Sequence, residues 1–329
     1  MPEPARRPAG ADLRVGVVVV NRFGTDDTLA CLESLASARP GPACVVVVEN
    51  ASGDDSAERL LAWARARDVT TAEVHDDEPL PADAAPPWLT VARLSAHRGF
   101  SGGNNVGLRL LDRRAELTHF LLLNNDTEVA PDYFAALADA ARHAPETALL
   151  SGTIYRHHDR SLVWWAGGIS VPWRALTVHR TEVPGDDQPR PTSFITGCAL
   201  VISRAALGVL GPLPECYFPA YVEDAEYCLR ALQRGVSVLY APRPSVYHKV
   251  GATSGFTTIS PAYAYLATRH RGFYVRRNFR GALRLAAIAY LAVTKPARAA
   301  VELLRGRPAL AGAYLRGLVS GLMSVDALR

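Results

Sequence analysis

The sequence predicts an α/β protein built on a largely parallel sheet, and three observations carry that reading. Residues 15–20 and 45–48 are short, continuous β-branched runs with no polar alternation, the pattern of strands buried on both faces. Each run ends in a polar loop, Asn21-Arg22-Phe23-Gly24 or Glu49-Asn50-Ala51-Ser52-Gly53-Asp54-Asp55-Ser56, and a helical stretch follows. The same unit then recurs, and in such sheets ligands bind at the C-terminal ends of the strands.

The elements follow in order. Residues 1–13, rich in Pro, Ala and Arg, are expected to be disordered. Residues 25–38 carry Leu29, Leu32 and Leu35 at helical spacing until Pro40-Gly41-Pro42 stops them, and a second helix is expected over 57–67. Residues 76–87, with four prolines and four acids, read as an exposed loop. A strand over 91–94 leads into the glycine-rich stretch 97–107 and a helix to about residue 114. A strand over 120–123 leads into Asn124-Asn125-Asp126 and a helix over 131–143. Beyond residue 150 the pattern is less regular: segments 161–169 and 176–183 suit a hairpin and 194–202 a buried strand. An acidic loop and helix fall within 217–235, a last strand over 236–240, and helices from residue 263 onward.

Composition narrows the class. Of 329 residues, 49% are apolar and 21% charged, the balance of a globular chain. The net charge of +4 hides an asymmetry: residues 269–329 hold twelve Lys/Arg against two Asp/Glu, a local +10, which leaves −6 on residues 1–268. An acidic body with a basic tail is not the evenly basic surface of a nucleic-acid binder. Five cysteines without a CxxC pair or a His/Cys metal spacing fit buried, reduced thiols and a cytoplasmic location. The first residues carry two arginines but no apolar core after them, so no signal peptide is expected. The most apolar stretch of the tail, 283–294, is too short to span a bilayer.

Three constellations carry chemistry. The stretch 98–107 allows close backbone approach and opens a helix whose N-terminus favours an anion, yet it matches neither the dinucleotide nor the P-loop spacing. Its bland reading is a tight strand-to-helix turn. Asp126, at the end of a buried strand, suits Mg²⁺ or Mn²⁺ beside a diphosphate better than a helix cap, because the next helix starts several residues later. Glu223, Asp224 and Glu226 crowd three carboxylates together, which favours a tuned general base but also merely complements a helix dipole. His248 taken alone is a structural histidine.

Together, VVVVNRFG, VVVENASGDDS, HRGFSGGNNVG, LLLNNDTEV, GCALVISRAAL with GPLPECYFPAYVEDAEYCLR, and YHKVGATSG occur in order over residues 14–278, about four-fifths of the chain. This set resembles the family 2 inverting nucleotide-sugar glycosyltransferases of GT-A fold, within them the bacterial rhamnosyltransferase-like branch. The resemblance implies a Rossmann-like mixed sheet with a C-terminal helical appendage. A catalytic domain would span 14–262, with residues 14–130 binding the nucleotide sugar and 131–262 the acceptor, and a basic amphipathic tail would span 263–329.

The resemblance also implies roles. Asn21, Glu49, Asn50 and Ser52 would hold the nucleoside, with Glu49 where most relatives carry Asp. Arg98, Gly99, Ser101, Gly102, Asn104, Asn105 and Asn125 would shape the ribose and diphosphate pocket. Asn124-Asn125-Asp126 stands where the family has its DxD signature and keeps the last carboxylate. Asp126 and His248 would therefore hold Mg²⁺ or Mn²⁺, which reverses the structural reading of His248. Asp224 would be the catalytic base, with Glu223 the fallback.

The implied donor is a dTDP- or UDP-sugar and the acceptor a glycan or lipid-linked hydroxyl. The basic tail suits contact with the inner face of the cell membrane. Its bland reading is a helical hairpin packed on the catalytic domain, or a homodimer contact. The competing classes are a sugar nucleotidyltransferase, whose glycine-rich loop after the first strand is missing at residues 21–24, and a nucleotide-binding scaffold without turnover. Convergence of Asp126, Asp224 and His248 on one cleft discriminates among them.

Overall fold

The computed structural model describes residues 13–76, 78–79, 86–250 and 259–324. The first half contains β1 (Val15–Asn21), α1 (Thr25–Ser37), β2 (Cys44–Glu49), α2 (Ser56–Arg65), β3 (Thr71–His75), β4 (Leu89–Arg93), α3 (Gly99–Asp112), β5 (His119–Asn124), β6 (Thr127–Val129) and α4 (Tyr133–Arg142). There follow β7 (Ala148–Arg156), β8 (Asp159–Trp165), β9 (Gly168–Val171), β10 (Leu176–His179), β11 (Arg190–Pro191), β12 (Ala199–Ser203), α5 (Arg204–Leu210), α6 (Glu223–Gln233) and β13 (Ser237–His248). Three helices complete the chain: α7 (Pro261–Asn278), α8 (Gly281–Leu304) and α9 (Pro308–Met323).

One mixed sheet runs β11-β13-β7-β12-β5-β1-β2-β4-β3, with β6 added to β13 and β8 to β7. The half from β5 to β3 is wholly parallel, and β12 enters antiparallel between β5 and β7. Val17–Val19 and all of β2 are buried, as strands covered by helices on both faces must be. Register sets the site. Asn21 lies opposite Glu49, and Val20 opposite Asn124, so the polar loops after β1, β2 and β5 leave the sheet at one edge.

Several elements differ from the sequence reading. Helix α3 takes up the glycine-rich stretch itself from Gly99 rather than following it. β3, β6 and β7 arise in segments without a clean strand pattern. β8 pairs with β7, so the hairpin is β9–β10 alone. The strand expected over 194–202 is β12 only, and the preceding residues enter it irregularly. β13 continues past residue 240 to His248, because a register shift between Tyr240 and Ser245 accommodates Pro242 and Pro244. The disorder expected for 1–13 falls, save residue 13, outside the described residues, as do residues 77 and 80–85 of the expected loop and the GATSG end of the YHKVGATSG motif.

Helix α7 starts at Pro261, so the boundary expected at 263 falls inside it. The three terminal helices pack on the body. Phe273, Val275 and Leu291 are fully buried with Tyr217 in a second core, each large apolar chain contributing roughly 1.5–3 kcal/mol. Helices α7 and α9 cross at Gly272 and Gly321, where a Cβ on Gly272 would meet the Gly321 backbone at 2.6 Å. Buried Glu226 on α6 anchors the end of α7, accepting from Arg277 Nε at 3.1 Å and Asn278 Nδ2 at 3.0 Å. Burial works against this charge, but the hydrogen bonds from Tyr217, Arg277 and Asn278 hold the carboxyl below its ordinary pKa.

Candidate active site

Two adjoining hollows form one cleft over the C-terminal ends of β1, β2 and β5. The first, of about 720 Å³, is walled by Arg22, Asn50, Gly99, Asn104, Asn125, Asp126 and His248, among others. The second, of about 590 Å³, is walled by Glu223 and Asp224 and by residues of the terminal helices. Phe100, Asn124, Trp164, Ala220, Tyr221 and Tyr263 belong to both walls. Asp126, His248 and Asp224 therefore converge on one cleft.

The first hollow is built on hydrogen bonds from strand ends. Asn50 Nδ2 donates to the Gly99 carbonyl at 3.0 Å and its Oδ1 accepts from Arg98 N at 2.8 Å, which ties the loop after β2 to the start of α3. Gly99 has φ 67°, and a Cβ there would meet the Pro219 carbonyl at 2.6 Å, so glycine is required. Asn125 Nδ2 donates to Gly24 O and Thr28 Oγ1 at 3.2 and 3.1 Å. Arg22 Nη1 donates to the Asn50 and Ala51 carbonyls at 2.9 and 3.1 Å and places a cation in this wall.

The metal candidates meet through a long-range pairing. β6 and β13 pair antiparallel with His248 opposite Thr127, and Lys249 N donates to Asp126 O at 2.9 Å. His248 Nε2 thereby lies 3.2 Å from Asp126 Oδ1. Adjacent ligands of a cation bound at about 2.1 Å stand roughly 3 Å apart, so the pair fits one shared divalent ion. Among the described residues no cluster of three or more His, Cys, Asp or Glu chains forms. Burial disfavours the imidazolium, yet Cys198 and Asp126 outweigh it and push the His248 pKa up to about 10. Metal binding would then displace a proton.

In the second hollow, Asp224 Oδ2 accepts from Gly197 N at 3.0 Å and Oδ1 from Ala225 N at 2.8 Å. Burial raises its pKa while these amides oppose the rise. Glu223, 5% exposed, has Oε2 unpartnered, and burial together with the Asp224 charge pushes its pKa well above the ordinary value. Both follow two non-glycine residues with positive φ, Tyr221 at 84° and Val222 at 82°, a strained entry to α6 of the kind kept at working sites. Glu226, third in the acidic cluster, turns away to α7.

Other expected residues stand behind the wall. Asn21 and Glu49 are buried, Asn21 Oδ1 accepting from Thr28 Oγ1 at 2.8 Å and Glu49 Oε1 from Ser52 N at 2.8 Å. Ser52 Oγ accepts from Phe23 N at 3.2 Å. Arg98 reaches Asp76 at 3.3 Å rather than facing the cleft, and Ser101 and Gly102 lie outside its wall. Asn105 staples α3 to the chain before α6: its Nδ2 donates to Leu213 O and Glu215 Oε1 at 3.0 and 2.8 Å. The sequence reading gave no role to Arg22, His97, Trp164, Tyr263, Thr268, Arg271 or Lys295, all of which line the cleft. Only the aromatic and basic character of 263–298 hinted at the last four.

No family model matches the chain. It is 29% identical over 192 residues to N-acetylglucosaminyl-diphospho-decaprenol L-rhamnosyltransferase of Mycobacterium tuberculosis, an alignment over 50% of this chain and 61% of that protein. It is 23% identical over 192 residues to the dTDP-rhamnosyl transferase RfbF of Shigella flexneri, covering 56% and 62%. The matches thus span about three-fifths of these relatives' length. Among solved structures, the mannosyltransferase PcManGT of Pyrobaculum calidifontis, in complex with GDP-Man and Mn²⁺, superimposes with a TM-score of 0.55 at 16% identity, over 98% of this chain and 91% of that one. The sequence relatives are rhamnosyltransferases and a hexosyltransferase, and the fold is GT-A, as the motif resemblance implied.

Proposed function

We propose that this glycosyltransferase-like chain moves a sugar, with inversion, from a dTDP- or UDP-sugar to a hydroxyl of a glycan or lipid-linked acceptor. The carrying observation is the single cleft in which Asp126 and His248 line one half and Asp224 the other. Asn50, Gly99, Asn104 and Asn125 frame the nucleotide half. Asp126 and His248 would hold Mg²⁺ or Mn²⁺, which when bound supplies Lewis-acid stabilisation to the leaving diphosphate. Arg22 adds positive charge on the same wall.

Asp224 is the general base. Its carboxylate is fixed by two backbone amides and its raised pKa brings it nearer the working pH, where a base is most effective. It takes the proton of the acceptor hydroxyl as that oxygen attacks the anomeric carbon on the face opposite the leaving diphosphate. Trp164, shared by both hollows and packed edge-on against His248 with ring centroids 4.8 Å apart, offers a flat face to a sugar.

The terminal helices are the membrane-facing part. No helix among the described residues is long and apolar enough to cross a membrane. On α8, however, Leu285, Ala289, Val293, Pro296, Ala300 and Leu303 are all exposed at spacings of three or four, one continuous apolar face. Arg280, Arg305 and Arg307 flank it, the arrangement of a helix lying in an anionic interface. The relatives' names, a diphospho-decaprenol acceptor and a dTDP-rhamnosyl donor, support a lipid-linked acceptor and rhamnose as donor sugar. The test is release of nucleoside diphosphate from a panel of dTDP- and UDP-sugars with Mn²⁺ and with EDTA. Metal-dependent release from at least one donor is expected; none from any donor would overturn the reading.

A further inference from the structure

The far wall of the second hollow is cationic, and nothing in the base or metal chemistry uses it. Lys295 on α8 and Arg271 on α7 both line this hollow, as do Glu223 and Asp224. Lys295 has no ion-pair partner among the described residues; its ammonium instead lies over the Tyr314 ring, 5.5 Å from the centroid. Arg271 is held in place by Nε and Nη2 donating to the Ala175 and Arg174 carbonyls at 2.8 and 2.6 Å. Thr268, one turn before Arg271 on α7, lines the same hollow; it is 1% exposed and its hydroxyl has no hydrogen-bond partner.

A half-buried amine that a guanidinium repels, with no ion pair of its own, costs stability unless an anion enters. Burial, with Arg271 and Arg298 adding repulsion, lowers the Lys295 pKa to about 8. The same helix presents its opposite, apolar face outward, so α8 has one side suited to lipid and one side suited to an anion.

Resting on the transferase reading, we infer that Lys295, Arg271 and Thr268 form an anion subsite that takes a phosphate or diphosphate ester borne by a lipid-linked acceptor. The subsite fixes the acceptor at its charged end while Asp224 meets the hydroxyl at its sugar end. The hydrocarbon chain leaves along the apolar face of α8. The terminal helices are then part of acceptor recognition as well as membrane contact.

The probe is geranyl diphosphate, titrated calorimetrically in EDTA so that no metal draws it to Asp126 and His248, with inorganic pyrophosphate in a second arm. Lys295→Met is expected to weaken geranyl diphosphate binding about tenfold or more and Lys295→Arg to retain it, the scale of one charge-assisted hydrogen bond. Pyrophosphate is expected to bind about tenfold more weakly than the ester, because it buries no hydrocarbon. Unchanged affinity in Lys295→Met overturns the subsite, and equal affinity for ester and pyrophosphate overturns its lipid-borne ligand. Retention in Lys295→Arg alongside loss in Lys295→Met shows that the charge, and not the fold, carries the binding. Wild-type protein that binds geranyl diphosphate through Lys295 yet releases nucleotide from no donor would count against the transferase reading and leave the subsite standing.

Discussion

His248 Nε2 lies 3.2 Å from Asp126 Oδ1 because β13, bent at its two prolines, continues far enough to pair with the three-residue strand β6. This contact joins residues 122 positions apart. If it is the metal site, Asp126→Ala weakens Mn²⁺-dependent nucleotide binding on the order of tenfold or more, as expected for a lost charged contact. Calorimetry with and without Mn²⁺ checks this. Equal affinity in the variant and the wild type under Mn²⁺ would remove Asp126 from the site.

Glu223→Gln is expected to stabilise the protein while leaving it active. The folded-state pKa of Glu223 is raised by burial and by Asp224, so between the ordinary and the raised value the folded chain holds a proton that the unfolded chain releases. Stability therefore falls as pH rises through that window, and the neutral variant escapes the loss. Its Tm should exceed wild type by roughly 2–4 °C per kcal/mol at pH 8. The gap should close toward about pH 4, the ordinary range of a glutamate. A variant without turnover would instead make Glu223 the base.

The anion subsite carries a pH dependence of its own. Lys295, facing Arg271, Arg298 and the Tyr314 ring, titrates at about 8. It binds an anion while protonated, so affinity for geranyl diphosphate should be level below that value and decline as pH rises through it. In Lys295→Arg the decline should vanish below about pH 10, because a guanidinium stays charged. Titrations at several pH values decide.

Membrane contact is best tested on the outer face of α8. Leu285 and Val293 are each 69% exposed, so Leu285→Glu with Val293→Glu removes apolar contact without emptying a core. The partition coefficient onto anionic liposomes, measured by co-sedimentation, should fall about a hundredfold or more, each buried aliphatic chain contributing roughly 1.5–3 kcal/mol, with Tm unchanged. Removing the chain from residue 269 would be a poorer test, because it takes Arg271, Phe273 and Lys295 out of the cleft and the second core.

What was legible in the sequence tracks how local the cause is. The strands ending at Asn21, Glu49 and Asn124 announce themselves through uninterrupted β-branched or leucine runs, and Asp126 is singled out by its strand-end position, whereas the acidic cluster alone does not choose Asp224 and the family resemblance does. His248 needed the family resemblance, because a three-residue strand and a proline-bent β13 leave no period to read. Asn104 and Asn105 are neighbours in one motif, yet a helix turns about 100° per residue. That turn puts Asn104 in the cleft wall and Asn105 against Leu213. Thr268, Arg271 and Lys295 were illegible as site residues, since only packing through Gly272 and Gly321 and the Glu226 anchor brings the tail over the cleft.

The central claim is that Asp224 removes the acceptor proton in a cleft where the donor is held by other residues. The most direct measurement is sugar transfer by Asp224→Asn with Mn²⁺, paired with the affinity of the same protein for the donor. Transfer should fall by about 10²–10⁴-fold or more while donor affinity stays within about threefold of wild type. Transfer at the wild-type rate in Asp224→Asn would contradict the account.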